Sequence, residues 1–280
     1  MNYREYYELG RKLLAEAGVE EAALDARRLL EHSCHTDRNT LLVHGDREVA
    51  SREADTYLQL IGQRAERIPL QHLTGTQDFM GLEFTVNHHV LIPRQDTEIL
   101  VEAAMKELHD GMRILDMCTG SGCILISLLH YSNGCSGVGA DISGDALEVA
   151  EANAGRILGG AGQVSFIRSD LFEEVEGRFD MIVSNPPYIR TEVIEGLMPE
   201  VRDHEPRQAL DGTADGLYFY RGIVQECGEH LERGGRLYFE IGHDQAEEVS
   251  ELMERAGFVE IEVVRDYAGL DRVVFGTYTG

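Results

Sequence analysis

Residues 114–123 read Ile-Leu-Asp-Met-Cys-Thr-Gly-Ser-Gly-Cys: apolar side chains around one acid, then a turn carrying Gly120 and Gly122. The apolar run predicts a buried strand, and helical spacing over 123–131 follows the turn. Gly120 and Gly122 tolerate positive φ and let a ligand approach the backbone without meeting a Cβ. In open α/β sheets ligands sit beyond the carboxyl ends of strands, where this turn falls. It is not the full G-x-G-x-x-G fingerprint, because position 118 is Cys and position 125 is Leu.

Downstream the pattern alternates. Strands are expected over 113–117, 137–140, 164–167, 181–184, 236–241, 259–264 and 273–278, with helices over 145–158, 216–231 and 245–256. Such alternation predicts a mostly parallel sheet covered on both faces. Only Asp266 to Asp271 separates the last two strands, too short for a helical crossover, so they must pair antiparallel. Asp141 ends the strand after the glycine turn, placed to accept hydrogen bonds from ribose hydroxyls. Asp170 ends the next strand, with Leu171 beside it where an adenine ring fits. Asp116, Asp141 and Asp170 together outline a nucleoside site.

Asn185-Pro186-Pro187-Tyr188 follows the strand over 181–184. Two successive prolines remove two backbone donors and stiffen the chain. The Asn185 side-chain oxygen and the Pro186 carbonyl are two acceptors, and Tyr188 offers a flat face. A planar NH2 group conjugated to a carbonyl or ring matches that pair. A rigid strand-end turn explains the prolines but not the whole set.

Upstream, the first 70 or so residues read as helices. Tyr6, Leu9, Leu13 and Leu14 share one face with Gly18 as a stop. Residues 22–34 form a second helix, and Ser51 is expected to cap a third that Pro69 ends. Leu82, Phe84 and Val86 alternate as a strand, and Val90 to Ile92 are expected to pair with it as a hairpin joining two domains. Thr97 is read as the cap of a helix running to His109. His88 and His89 lack a third ligand in reach, and no metal role is expected.

The chain has 280 residues, with 25 Lys+Arg against 50 Asp+Glu and a formal charge of −25. A field of that sign opposes a broad grip on nucleic acid or anionic membrane, so no stable binding to either is expected. Five cysteines, an odd number with no C-x-x-C, argue against a disulfide framework. The opening residues have no apolar run of a signal peptide, and no stretch approaches a membrane span. A cytoplasmic protein is expected.

The glycine turn, Asp141 and the tetrad at 185–188 resemble the class I S-adenosylmethionine-dependent methyltransferases that modify amide or exocyclic amino nitrogens. Residues 84–98, Glu205-Pro206 with Ala209-Leu210, Glu240-Ile241-Gly242, and Arg265-Asp266-Tyr267 with Arg272 resemble more narrowly the peptide chain release factor glutamine methyltransferases, the HemK family. The resemblance spans essentially the whole chain. It implies a Rossmann-like, mostly parallel seven-stranded sheet with an antiparallel C-terminal strand. It also implies a helical substrate-docking domain over 1–74, a hairpin linker over 75–93 and a methyltransferase domain over 94–280. The implied reaction moves a methyl group from S-adenosylmethionine to the amide nitrogen of the glutamine in the Gly-Gly-Gln loop of class 1 release factors. Carried over, Cys118, Thr119, Gly120, Ser121, Gly122, Asp141, Leu171 and Asn185 would contact the cofactor. Asn185, Pro186, Pro187 and Tyr188 would hold the glutamine; His204 and Glu205, as polar loop residues, are expected to shape the site wall and take no catalytic part. Two positions depart from the family: Cys118 stands for a glycine, and Gln95 for the second proline of Pro-Arg-Pro. Open alternatives are a nucleic-acid adenine-N6 methyltransferase, which must flip a base and hold phosphates, and a non-catalytic binding module.

Overall fold

A computed structural model describes residues 1–159 and 163–280. In chain order the elements are α1 (Tyr3–Glu16), α2 (Ala22–Ser33), α3 (Arg38–Val43), α4 (Ser51–Ala65), α5 (Leu70–Thr74), β1 (Thr76–Phe79), β2 (Leu82–Thr85), α6 (Gln95–Met105), β3 (Arg113–Met117), α7 (Cys123–His130), β4 (Ser136–Asp141) and α8 (Gly144–Ile157). There follow β5 (Val164–Arg168), β6 (Phe179–Ser184), α9 (Thr191–Ile194), α10 (Pro199–Arg202), α11 (Tyr218–His230), β7 (Leu231–Glu240), α12 (Ala246–Arg255), β8 (Phe258–Arg265) and β9 (Asp271–Tyr278). Two compact units result: residues 1–76 with 198–204, and residues 77–197 with 205–280.

The first unit is helical. Asn2 caps α1 reciprocally: its side chain accepts from Glu5 N, and Glu5 accepts from Asn2 N, both at 2.9 Å. Leu14, Ala26, Leu29, Leu30, Tyr57 and Ile61 form its core. Ser51 is the first residue of α4 rather than its cap, because the chain turns one residue earlier at Ala50. Residues 198–204 join this unit through Glu200, which takes hydrogen bonds from Arg64 Nη2 (2.8 Å), Arg67 Nε (2.7 Å) and Arg67 Nη2 (2.6 Å). Arg64 also donates to Asp25 at 2.7 Å.

The second unit carries a seven-stranded sheet in the order β5-β4-β3-β6-β7-β9-β8. All neighbours from β5 to β7 are parallel, and β9 is antiparallel to both β7 and β8, as expected. Successive strand residues face opposite sides, so Met181, Val183 and Tyr238 enter one core while Ile182, Leu237 and Phe239 enter the other.

The hairpin differs from expectation. It pairs β1 with β2 through Met80 and Gly81, while Val90 to Ile92 form no strand. Both turn residues have positive φ, +51° and +72°, the pattern that matches a two-residue turn to strand twist. Thr97 is likewise no cap: α6 begins at Gln95, and Thr97 is buried inside it.

Candidate functional site

The sheet order reverses between β3 and β6, and there the strand ends align. Met117 of β3 lies opposite Ala140 of β4 and Ser184 of β6, so the next residues, Cys118, Asp141 and Asn185, start their loops side by side. The Ser184 hydroxyl donates to Met117 O at 2.6 Å and Thr119 N to Ala140 O at 3.0 Å, tying the three ends together. This is the switch point at which open α/β sheets hold ligands.

A cavity of about 400 Å³ opens at these ends, within the range of small-molecule sites. Cys118, Thr119, Gly120, Ser121, Asp141, Leu171, Asn185 and Pro187 line it, together with Asp170 and Arg94. Gly122, Pro186 and Tyr188 do not. Gly122 is the N-cap of α7 at φ +78°, and a Cβ there would come within 2.8 Å of Ile126 and 3.2 Å of Ala150, so it serves helix packing. Pro186 is buried and Tyr188 half-buried.

Asp141 holds the loop as well as facing the cavity. Its Oδ2 accepts from Gly120 N and its Oδ1 from Ser143 N, both at 2.9 Å. Burial raises its pKa against those two bonds. Asp116 is fully buried and does not line this cavity. Its Oδ2 accepts from Thr119 Oγ1 at 2.6 Å and Leu125 N at 3.3 Å, while its Oδ1 has no partner. Burial pushes its carboxyl up to about 7. Of the three strand-end acids, Asp141 and Asp170 alone face the cavity.

The tetrad is fastened from behind by residues the sequence analysis missed. Asn185 Nδ2 donates to Thr97 Oγ1 at 3.3 Å, and among the described residues none donates to its Oδ1. Tyr188 OH donates to Glu240 Oε1 at 3.2 Å, and Gln245 Nε2 donates to Tyr188 O at 3.1 Å. Gly212 permits the next segment to lie against the tetrad, for a Cβ there would stand 2.7 Å from Tyr188 Cα. Glu205 is buried and bonded through both oxygens to Arg94 Nη2, at 2.6 and 2.7 Å. It braces Arg94, and the wall itself is Pro206, Gln208 and Ala209. An acid at the end of β7, Glu240, and a polar residue near the start of α6, Thr97, were the available signal; only folding shows that they meet the tetrad.

The His88 and His89 rings lie 3.9 Å apart between centres, tilted by 44°, with His89 Nδ1 3.6 Å from Asp145. Among the described residues no helix is long and apolar enough to cross a membrane.

Comparison with known proteins follows the same division. Residues 5–75 match the family described as PrmC N-terminal domain, and residues 94–198 match the Methyltransferase small domain. The chain is 44% identical over 267 residues to the release factor glutamine methyltransferase of Geobacter sulfurreducens, covering 95% of this chain and 93% of that protein. It is 41% identical over 270 residues to the release factor glutamine methyltransferase of Agrobacterium fabrum, covering 94% and 93%. Among solved structures, a methyltransferase from Pyrococcus furiosus superposes with a TM-score of 0.54 at 17% identity, covering 72% of this chain and 91% of that one. That last likeness is one of fold.

Proposed function

The chain belongs to the release factor glutamine methyltransferase family, and from that premise we propose which of its residues carry the reaction. It is a protein-glutamine methyltransferase, transferring a methyl group to a side-chain amide nitrogen. In our reading the cavity takes S-adenosylmethionine, and the substrate is the glutamine of the Gly-Gly-Gln loop of a class 1 release factor.

The cavity suits that cofactor by chemistry. Its floor is a glycine loop, and its rim carries Asp141 and Asp170, two acids that favour a cationic nucleoside. Bound there, the sulfonium supplies an already activated methyl group. The protein's share is alignment. An amide nitrogen is a poor nucleophile because its lone pair is shared with the carbonyl. Asn185 Oδ1, left free by the bond from Nδ2 to Thr97, accepts one amide hydrogen at the cavity and aims the nitrogen. It also stabilises positive charge developing on nitrogen; the Pro186 carbonyl, the second acceptor expected from the sequence, belongs to a residue that does not line the cavity. Water takes the proton afterwards, so no side-chain base is required.

The observation that carries this reading is the register of β3 and β6, which sets the glycine loop and the tetrad side by side at one cavity. The test is mass analysis of purified release factor incubated with the protein and S-adenosylmethionine. One added methyl group on the Gly-Gly-Gln glutamine is expected. Asn185→Ala should slow single-turnover transfer by about a hundredfold, the scale of a roughly 1 Å misplacement, with cofactor affinity only moderately altered. Transfer at the parent rate removes Asn185 from the site. Methylation of adenine in an oligonucleotide, with the release factor untouched, moves the substrate to the rival class.

A further inference from the structure

Glu240 is a carboxylate in the wrong place for stability. It is 2% exposed at the carboxyl end of β7. One oxygen accepts from Tyr188 OH at 3.2 Å, and the other, Oε2, is buried with no hydrogen bond of ordinary geometry, though the Thr97 hydroxyl stands near enough to favour the charged form. A buried acceptor left unmatched is destabilising, and more so when charged. Arg272 is the nearby cation, but its guanidinium is committed elsewhere: Nη2 lies 3.0 Å from Asp266 and 3.4 Å from Asp96, and Nη1 donates to Ile241 O. A glutamine would fill the same space without the charge. What the charge adds is direction: a carboxylate accepts only, so the single Tyr188 proton must point at it.

Among the described residues the other hydrogen bond to Tyr188 reaches its backbone, from Gln245 Nε2 at 3.1 Å, and its ring packs on the second core. The Glu240 strand end is itself fixed by Tyr220 OH, which donates to Glu240 O at 2.9 Å. We propose that Glu240 is a positioning residue for the methyl transfer, its ionised carboxylate anchoring the Tyr188 ring and through it the tetrad against which the substrate amide is aligned. This rests on the reading that residues 185–188 hold that amide.

The anchor is sensitive to pH. The groups facing Glu240 are Thr97 and Asp96 of α6, Tyr188 of the tetrad loop, Tyr220 of α11, Cys123 of α7 and Arg272 of β9. Burial pushes its carboxyl up to about 6, with Thr97, Arg272 and Tyr188 opposing and Asp96 assisting. Protonation therefore begins just below neutrality, and the neutral acid, no longer an obligate acceptor, holds the Tyr188 hydroxyl more weakly. Activity is full above that value and declines as pH falls through it.

The experiment is single-turnover methylation of purified release factor by the full chain over about pH 5–8, for wild type, Glu240→Gln, Tyr188→Phe and the double variant. Wild type is expected to show an acid limb centred near 6. Glu240→Gln and Tyr188→Phe are each expected to lose that limb and run about tenfold below the wild-type plateau. The double variant should be no slower than the singles, the non-additivity of two residues acting through one contact. Cofactor affinity, measured by calorimetry, should stay unchanged in all three. A Glu240→Gln enzyme with the wild-type limb and rate overturns the proposal while leaving the function intact. Should that variant not fold, a Tyr188→Phe enzyme that keeps the limb overturns it equally. A wild-type chain that methylates no release factor overturns the proposed function and this inference with it.

Discussion

Cys118 adopts φ +62°, a left-handed conformation that glycine takes freely and that a Cβ makes costly. The resemblance had marked this position as one where glycine is usual, and the backbone gives the reason. The thiol packs against the second core and is pushed well above its ordinary range by burial, then by Asp141 and Asp116, so it is a packing group and not a nucleophile. Cys118→Gly should therefore unfold in urea within about 1 kcal/mol of the parent, relief of strain offsetting the extra entropy of the unfolded chain. Cys118→Val places a β-branched residue at positive φ and should lose about 1–3 kcal/mol. Equal stability of the two variants would contradict the strain argument. Asp141 shows a second lesson at this scale. Its place at a strand end was legible from the strand pattern, but not its grip on Gly120 N, which makes it a support of the loop as well as a wall of the cavity.

Short elements held by ion pairs escaped the sequence pattern. Helix α10 has four residues, too few for a period, and its membership of the helical unit depends on Glu200 meeting Arg64 and Arg67, more than 130 positions earlier. Burial alone would raise the Glu200 pKa, but the hydrogen bonds from Arg67 and Arg64 outweigh it and hold the carboxyl at about 2. A carboxyl depressed in the folded state stabilises fully above its unfolded value, and that contribution is lost as pH falls from there through the folded value. Glu200→Gln should cost about 1–3 kcal/mol near neutrality, less than a fully buried pair because Glu200 still meets water at its edge. The gap between variant and parent melting temperatures should close as pH is lowered below the ordinary carboxylate range. A gap that stays constant with pH would show that Glu200 acts by packing rather than charge. The hairpin teaches the same point with backbone: the alternation of Leu82, Phe84 and Val86 was visible, but its partner was not. Met80-Gly81 is an uncommon form of a turn usually written with Asn or Asp, so the strand on its near side went unread.

Every residue lining the cavity belongs to the second unit. A chain starting at Gln77 should bind S-adenosylmethionine nearly as well as the whole protein in calorimetric titration. It also lacks Arg64 and Arg67, so residues 198–204 lose their partners, and kcat/KM on intact release factor should fall about tenfold or more, as expected when remote binding energy is removed. Undiminished kcat/KM would show that the helical unit is no docking element. The sequence by itself determined the class of fold, because burial on both faces of a parallel sheet demands apolar runs and helical periods that are local and countable. It likewise placed the glycine loop, Asp141 and the tetrad, because special backbone and special side chains at strand ends are written in consecutive residues. Tertiary structure alone decided which groups stand behind them: Thr97 with Asn185, Glu240 with Tyr188, Glu205 with Arg94. Those pairs lie 88, 52 and 111 positions apart, and a hydrogen bond is a matter of about 3 Å in space that no local period records.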